Sequence, residues 1–156
     1  MTSLPPPPAL LPMTRVFCEV GELVTLGPAK YGERRYVTLT GGRVEGPELN
    51  GHILPGGVDW QTLREDGVLD IAAHYVIRGD DGALIEVHSE GMRHGPPEVM
   101  LALARGEMPA PESYFFRTRM LFTTGAPAWL HLNKVIAIAS GRREARRVLL
   151  DVWRLA

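Results

Sequence analysis

Runs of strand-forming residues separated by short turn signals constrain this chain more than any other feature. The first run spans residues 16–26, bends at Gly21 and ends at Gly27-Pro28. Residues 34–44, rich in Val, Thr and Tyr, form the second, with Gly41-Gly42 as a bulge. Gly46-Pro47 turns the chain into a third. A fourth spans residues 68–78, Asp80-Asp81-Gly82 marks a hairpin, and a fifth spans residues 83–90. The period then changes once. Residues 96–105 predict a short helix, with prolines at its start, Ala and Leu within it and Gly106 after it. Residues 114–124, 129–139 and 148–155 return to strand character. These eight strands, without alternating βα units, predict an all-β fold: an eight-stranded antiparallel up-and-down β-barrel with one short helix. A two-sheet sandwich is the alternative. Closure removes exposed sheet edges, and a barrel of this size can hold one small ligand.

The third strand carries the sharpest local signal. Residues 51–67 read GHILPGGVDWQTLREDG. An apolar start, His52-Ile53-Leu54, meets Pro55-Gly56-Gly57 and then Asp59 and Trp60. Proline and paired glycine are poor ladder formers and mark a bulge or a close backbone approach. A bulge would aim Asp59 or Trp60 at a site. The plainer alternative is a barrel corner, with Asp59 capping its own turn and Trp60 in the core. At the next hairpin, a loop of two or four residues around Asp81-Gly82 would place Tyr75 on one face with Glu86 and His88.

With 156 residues, 45% of them hydrophobic and 22% charged, the chain has the length and composition of one globular domain. A formal net charge of -1 argues against nucleic acid or an anionic membrane as partner. No apolar run approaches the ~20 residues of a spanning helix. Cys18 is the sole cysteine, so no intrachain disulfide can form, in keeping with a reducing, cytoplasmic compartment. Residues 1–12 hold four consecutive prolines and lack the basic and apolar regions of a signal peptide. They are expected to be a flexible tail ahead of a single barrel domain at residues 13–156. A proline-motif ligand or an arm covering a neighbouring subunit are the functional alternatives for this tail, and a homo-oligomer stays open.

Of the five histidines, His52, His74, His88, His94 and His131, none forms a metal-binding sequence pattern, so no metal is expected. There is no Gly-x-Ser-x-Gly nucleophile and no glycine-rich phosphate loop, so no cofactor is expected. Cys18 reads as a buried structural thiol. What remains is acid–base and binding chemistry. Asp59, if buried, would have a raised pKa and could transfer protons, with His74 as a partner. Trp60, Tyr75, Arg117, Trp129 and Asn133 are the candidates for binding substrate, Arg117 through its guanidinium. Each also has a plain structural reading, as core residue, turn partner or solvated strand charge.

Gly32-Glu33-Arg34-Arg35-Tyr36, Gly41-Gly42, Leu54-Pro55-Gly56-Gly57-Val58-Asp59-Trp60, Asp66-Gly67, Asp80-Asp81-Gly82-Ala83-Leu84-Ile85, Tyr114-Phe115-Phe116-Arg117-Thr118 and Trp129-Leu130 occur in this order. Together they resemble the DUF3237 family, also called UPF0311, over residues 13–156. The resemblance implies an eight-stranded antiparallel barrel with a short helix. It also implies a kinship with cofactor-free cyclases of natural-product pathways, which close an ether ring by protonating an alkene or similar acceptor. The family's Gly-Gly-x-Asp aspartate corresponds to Asp59, and its Tyr-Phe-Arg-Thr arginine to Arg117. The chain departs from the family pattern at His74, where relatives often have arginine, and at Glu86, where an aromatic is common.

The leading expectation is a cofactor-independent cyclase or isomerase, acting by acid–base catalysis on a small apolar or aromatic molecule. A non-catalytic, lipocalin-like ligand-binding protein is the second reading, and an oligomeric scaffold with a filled barrel the third. A polar-ended cavity would argue against the scaffold. A buried Asp59 facing that cavity would favour the enzyme over the carrier.

Overall fold

A computed structural model describes all 156 residues. Nine strands build the molecule: β1 (Leu10–Ala29), β2 (Gly32–Glu45), β3 (Gly51–Ile53), β4 (Gly57–Leu63), β5 (Leu69–Gly79), β6 (Leu84–His94), β7 (Phe115–Thr123), β8 (Ile136–Arg143) and β9 (Arg147–Leu155). Helix α1 (Pro97–Ala104) and 3-10 turns at Pro111–Ser113 and Pro127–Lys134 complete it. All pairings are antiparallel and run β1-β9-β8-β7-β6-β5; β5 then pairs with both β3 and β4, both pair with β2, and β2 returns to β1. β3 and β4 therefore share one position in the ring, so eight positions close the barrel.

The break between β3 and β4 is the Pro55-Gly56-Gly57 segment. Ile53 pairs with Ile77 and Val58 with His74, so β3–β4 spends five steps where β5 spends three. Two extra residues bulge out, and an even number keeps the inward face inward: Ile53 and Asp59 both point into the barrel. Gly56 takes φ +109°, open to glycine. At Gly57 a Cβ would lie 2.6 Å from the Tyr75 Cβ, so its missing side chain lets Tyr75 pack beneath β4.

Inward alternation makes the core. Val44, Ile53, Ile77 and Ile85 form an apolar layer toward one end, with Met13 and Leu49 fully buried as well. The polar interior lies toward the other end, where β6 leaves the barrel for α1. Only Leu103 of α1 is buried, and the Gly106 that follows lies beside Ala145 in the β8–β9 turn.

Three expectations need correction. The loop between β5 and β6 has three residues, 80–82, with Gly82 at φ +89° and the Gly79 N–H bonded to the Ala83 carbonyl at 2.7 Å. An odd loop reverses the expected parity: Tyr75 faces Val87, not Glu86 or His88. The strand expected at residues 129–139 is a 3-10 helix over Pro127–Lys134, with β8 beginning only at Ile136. Pro127 opens that helix, and Asn133 holds it against β7: its amide accepts from the Thr124 N–H (2.8 Å) and donates to the Thr124 carbonyl (2.9 Å). So α1 is not the sole helix. Finally, β1 starts at Leu10, earlier than the proline content predicts. Residues 10–12 pair with Leu155, Arg154 and Trp153, and Ala9 exchanges two backbone hydrogen bonds with Ala156. Pro12 fits because β1 pairs with β2 only from Arg15 onward, so this end has a free side.

Candidate active site

Asp59 lies opposite Val37 on β2 and Ala73 on β5, facing the barrel interior. A mostly apolar cavity surrounds it. About 50 Å³ of this space can be occupied by the centre of a water molecule; all the space between atoms, including that open to solvent, is about 560 Å³. The Asp59 Oδ2 accepts a 2.8 Å hydrogen bond from Gln61 Nε2. Gln61 Oε1 accepts from Arg35 Nε at 3.1 Å, and Arg35 reaches Glu33 at 3.8 Å. The other oxygen, Oδ1, is enclosed and has no hydrogen-bond partner.

Three more enclosed polar atoms on the same walls lack partners: Tyr75 Oη, Thr118 Oγ1 and Arg93 Nε. Buried polar groups are almost always paired, so four orphans around one space are what a polar ligand or ordered water would satisfy. Burial pushes the Asp59 carboxyl above the usual aspartate range, against the opposing pulls of the Gln61 amide, Arg93, the Ala72 N–H and Arg143. Burial also lowers Arg93 to about 10, helped by the neighbouring charges of Arg143 and Arg35, which leaves it a cation at neutral pH. Burial raises Tyr75 as well, so it stays a neutral phenol. The Cys18 thiol on the same wall is pushed up to about 12, first by burial and then by the charges of Asp59 and Glu19. It remains a thiol and is a poor nucleophile. The site therefore offers one buried carboxyl with a raised pKa, neutral hydroxyls and cations.

The residues singled out from the sequence divide cleanly. Asp59 and Tyr75 line the cavity. His74 does not: it points outward, opposite His88, with Nε2 2.6 Å from Glu86 Oε2 and its ring stacked 4.0 Å from that of His88. Adjacent residues of a strand face opposite ways, so with Tyr75 inward His74 lies outside. Trp60 obeys strand alternation and packs on the outer surface against Tyr36 and the Arg34 guanidinium, so barrel walls rather than an indole desolvate Asp59. Arg117 lies on the outer face of β7, where its Nη1 donates to the Phe116 carbonyl. Trp129 donates from Nε1 to Asp81 Oδ2 at 2.7 Å, and Asn133 is the β7 clamp described above.

Gln61, Arg93, Thr118, Ser89 and Arg143, all on the cavity wall, escape a reading of the sequence alone. Gln61 follows from Asp59 by strand alternation. Ser89 and Arg93 follow from Val87 in the same way, once the odd hairpin loop fixes the face of β6. His74, Glu86 and His88 are the one group whose side chains could converge on a metal ion, with ligand atoms within 4.8 Å of one another. Cross-strand pairing assembles this trio on the outer face, away from Asp59, so spacing along the chain does not reveal it. The cavity itself presents no histidine.

The relatives agree with this architecture. The sequence model of DUF3237, described as a protein of unknown function, matches residues 8–155. The UPF0311 protein RPA1785 of Rhodopseudomonas palustris is 36% identical over 137 residues, covering 88% of this chain and 90% of its own. Its crystal structure superposes with a TM-score of 0.91, covering 98% of this chain and 100% of that one. A β-barrel-like protein of Acinetobacter baumannii gives a TM-score of 0.87 at 35% identity, covering 99% of this chain and 100% of that one. More distantly, the hydroalkoxylation enzyme phnH of Penicillium herquei is 44% identical over 50 residues, 32% of this chain and 33% of its own. The crystal structure of an enzyme from Penicillium herquei shares the fold, with a TM-score of 0.76 at 24% identity over the full length of both chains. With the family model spanning nearly the whole chain and curated relatives at this level of identity, the protein is a member of the DUF3237 (UPF0311) family.

Proposed function

We propose that the cavity catalyses a cofactor-independent, acid–base isomerisation, a ring closure in which a hydroxyl adds across an alkene of the same small molecule. The observation that carries this reading is the Asp59 carboxyl, which lines the cavity, is raised in pKa by burial and has one enclosed oxygen, Oδ1, without a partner. A protonated Asp59 delivers its proton to one alkene carbon. The substrate hydroxyl oxygen bonds to the adjacent carbon, and the hydroxyl proton returns to the Asp59 carboxylate. One C=C π bond and one O–H bond are replaced by a C–H and a C–O bond, with no net oxidation or reduction. Gln61 holds Oδ2, leaving Oδ1 as the reacting oxygen. The partial identity to a hydroalkoxylation enzyme supports this class of reaction.

The test is turnover of hydroxy-alkene substrates in deuterated water, read by NMR. Ring closure should place one solvent deuteron on the carbon next to the new ether carbon. Asp59→Asn keeps the shape and removes the titration, so turnover should fall at least ~10²-fold, the lower end for general acid–base catalysis. Near-normal turnover in folded Asp59→Asn would remove Asp59 from the chemistry. Tight binding of the same compounds with no turnover would favour the lipocalin-like carrier.

A further inference from the structure

We propose that the arginine end of the cavity binds the carboxylate or enolate of an organic substrate, with the Arg93 and Arg143 guanidiniums as its counter-ions. This rests on the cavity being the reaction site, and it adds the substrate's charge and its direction of entry.

The cavity wall carries Arg93 from β6 and Arg143 from β8, and Arg35 of β2 adjoins it through Gln61. Arg93 is only 8% exposed, yet no carboxylate lies within 4.0 Å of either Arg93 or Arg143. Arg143 has only a long, 3.4 Å contact from Nη2 to the Ala145 carbonyl. Arg93 leans on the Phe116 ring at 5.4 Å, and its Nε has no acceptor. Arg35 is partly neutralised by Glu33. The one acid on the cavity wall is Asp59, and burial favours its neutral form. Cations thus exceed anions in a space closed by apolar walls, and removing a partner from a buried charge is among the costliest states in a protein. A planar guanidinium suits the two coplanar oxygens of a carboxylate or of a 1,3-dicarbonyl enolate, and the apolar lining favours an organic anion over a compact inorganic one. The apolar walls beyond it fit a hydrocarbon or aromatic body. A substrate seated in this way enters with its anion toward the arginines and its uncharged part beside Asp59 and Tyr75.

Benzoate, its neutral isostere benzamide and inorganic phosphate are the probes, with thermal melts and calorimetry at constant ionic strength as readout. Benzoate should raise the melting temperature and bind, benzamide should not, and phosphate should bind more weakly than benzoate. Arg93→Met should weaken benzoate at least tenfold. Without ligand it should melt no lower than the wild type, because it removes an unpaired buried charge. Arg143→Met should weaken benzoate in the same way, and Arg93→Lys should retain part of the binding. Equal binding of benzoate and benzamide, no benzoate binding, phosphate binding as tightly as benzoate, or unchanged benzoate affinity in folded Arg93→Met or Arg143→Met would each overturn the proposal. So would a clear loss of apo stability in both methionine variants, which would make these guanidiniums structural. Asp59→Asn separates the two readings. It should abolish turnover and still bind benzoate, so a loss of anion binding in the arginine variants is scored without reference to catalysis.

Discussion

A carboxyl group enclosed by a barrel wall, that of Asp59, is the group on which the proposed chemistry turns. Asp59 resembles every strand aspartate in sequence, and its distinctive property comes from what surrounds it: apolar walls, one amide donor and an oxygen with no partner. Because its folded pKa lies above the unfolded value, protonation favours the folded state. Its effect on stability is therefore most favourable below the ordinary aspartate pKa near 3.8 and is lost as pH rises through the folded value. Asp59→Asn should behave oppositely to a surface substitution. The melting temperature of the variant minus that of the wild type should increase from pH 4 to pH 8, checked by paired thermal melts across that range. A difference that stays flat would mean that Asp59 ionises as an exposed carboxyl does. The same titration should govern turnover. Activity that needs the protonated acid should decline on the alkaline side, through the pKa of Asp59 itself.

At the scale of the element, two short interruptions place the site. The two-residue bulge at Pro55-Gly56-Gly57 lets one strand position serve two partners while Asp59 stays inward, and the bare Gly57 leaves room for Tyr75. The three-residue hairpin loop after β5 sets which face of β6 meets the cavity, and hence sends Ser89 and Arg93 in and Glu86 and His88 out. The 3-10 segment before β8 is held to β7 by Asn133, whose amide pairs with the Thr124 backbone like a neighbouring strand. Asn133→Ala leaves that backbone N–H and carbonyl without their partner, and should cost about 1–3 kcal/mol in a denaturant titration. Activity per folded molecule should be unchanged, because the Asn133 side chain is outside the cavity. A selective loss of substrate affinity at full stability would instead restore Asn133 as a binding residue.

For the whole molecule, closure of the ring is the decisive event. Cys18 on β1 faces Gly42 of β2 on one side and Val148 of β9 on the other, so residues more than a hundred positions apart enclose one space. Residues 9–12 lengthen the closing seam by pairing with the end of β9. A protein starting at Met13 should still fold, since the main part of the β1–β9 ladder and all of the β1–β2 ladder remain. It should lose about 1–3 kcal/mol, the sum of a few backbone hydrogen bonds at about 1 kcal/mol each. A protein starting at Ala9 should match the full chain in thermal melts. A larger loss in the Ala9 protein would mean that the prolines before it pack on another surface. No helix in the molecule is long and apolar enough to cross a membrane.

The sequence by itself determined the antiparallel all-β class, the change of period that marks α1 and the break at Pro55-Gly56-Gly57, and it singled out Asp59, which lines the cavity. These follow from local chemistry: β-branched runs, proline without a donor, glycine where backbone must approach or reverse. What only the tertiary structure decided was which side chains share a space. A strand's faces differ by one residue, so a hairpin one residue longer or shorter exchanges the inside for the outside. That single step put Tyr75 opposite Val87 and sent Glu86 and His88 to the outer face. Arg93 and Arg143 meet Asp59 through a ring that closes between the first, second and last strands, and no spacing along the chain records that closure. The burial of Arg93, and therefore its unbalanced charge, exists only once the barrel is shut.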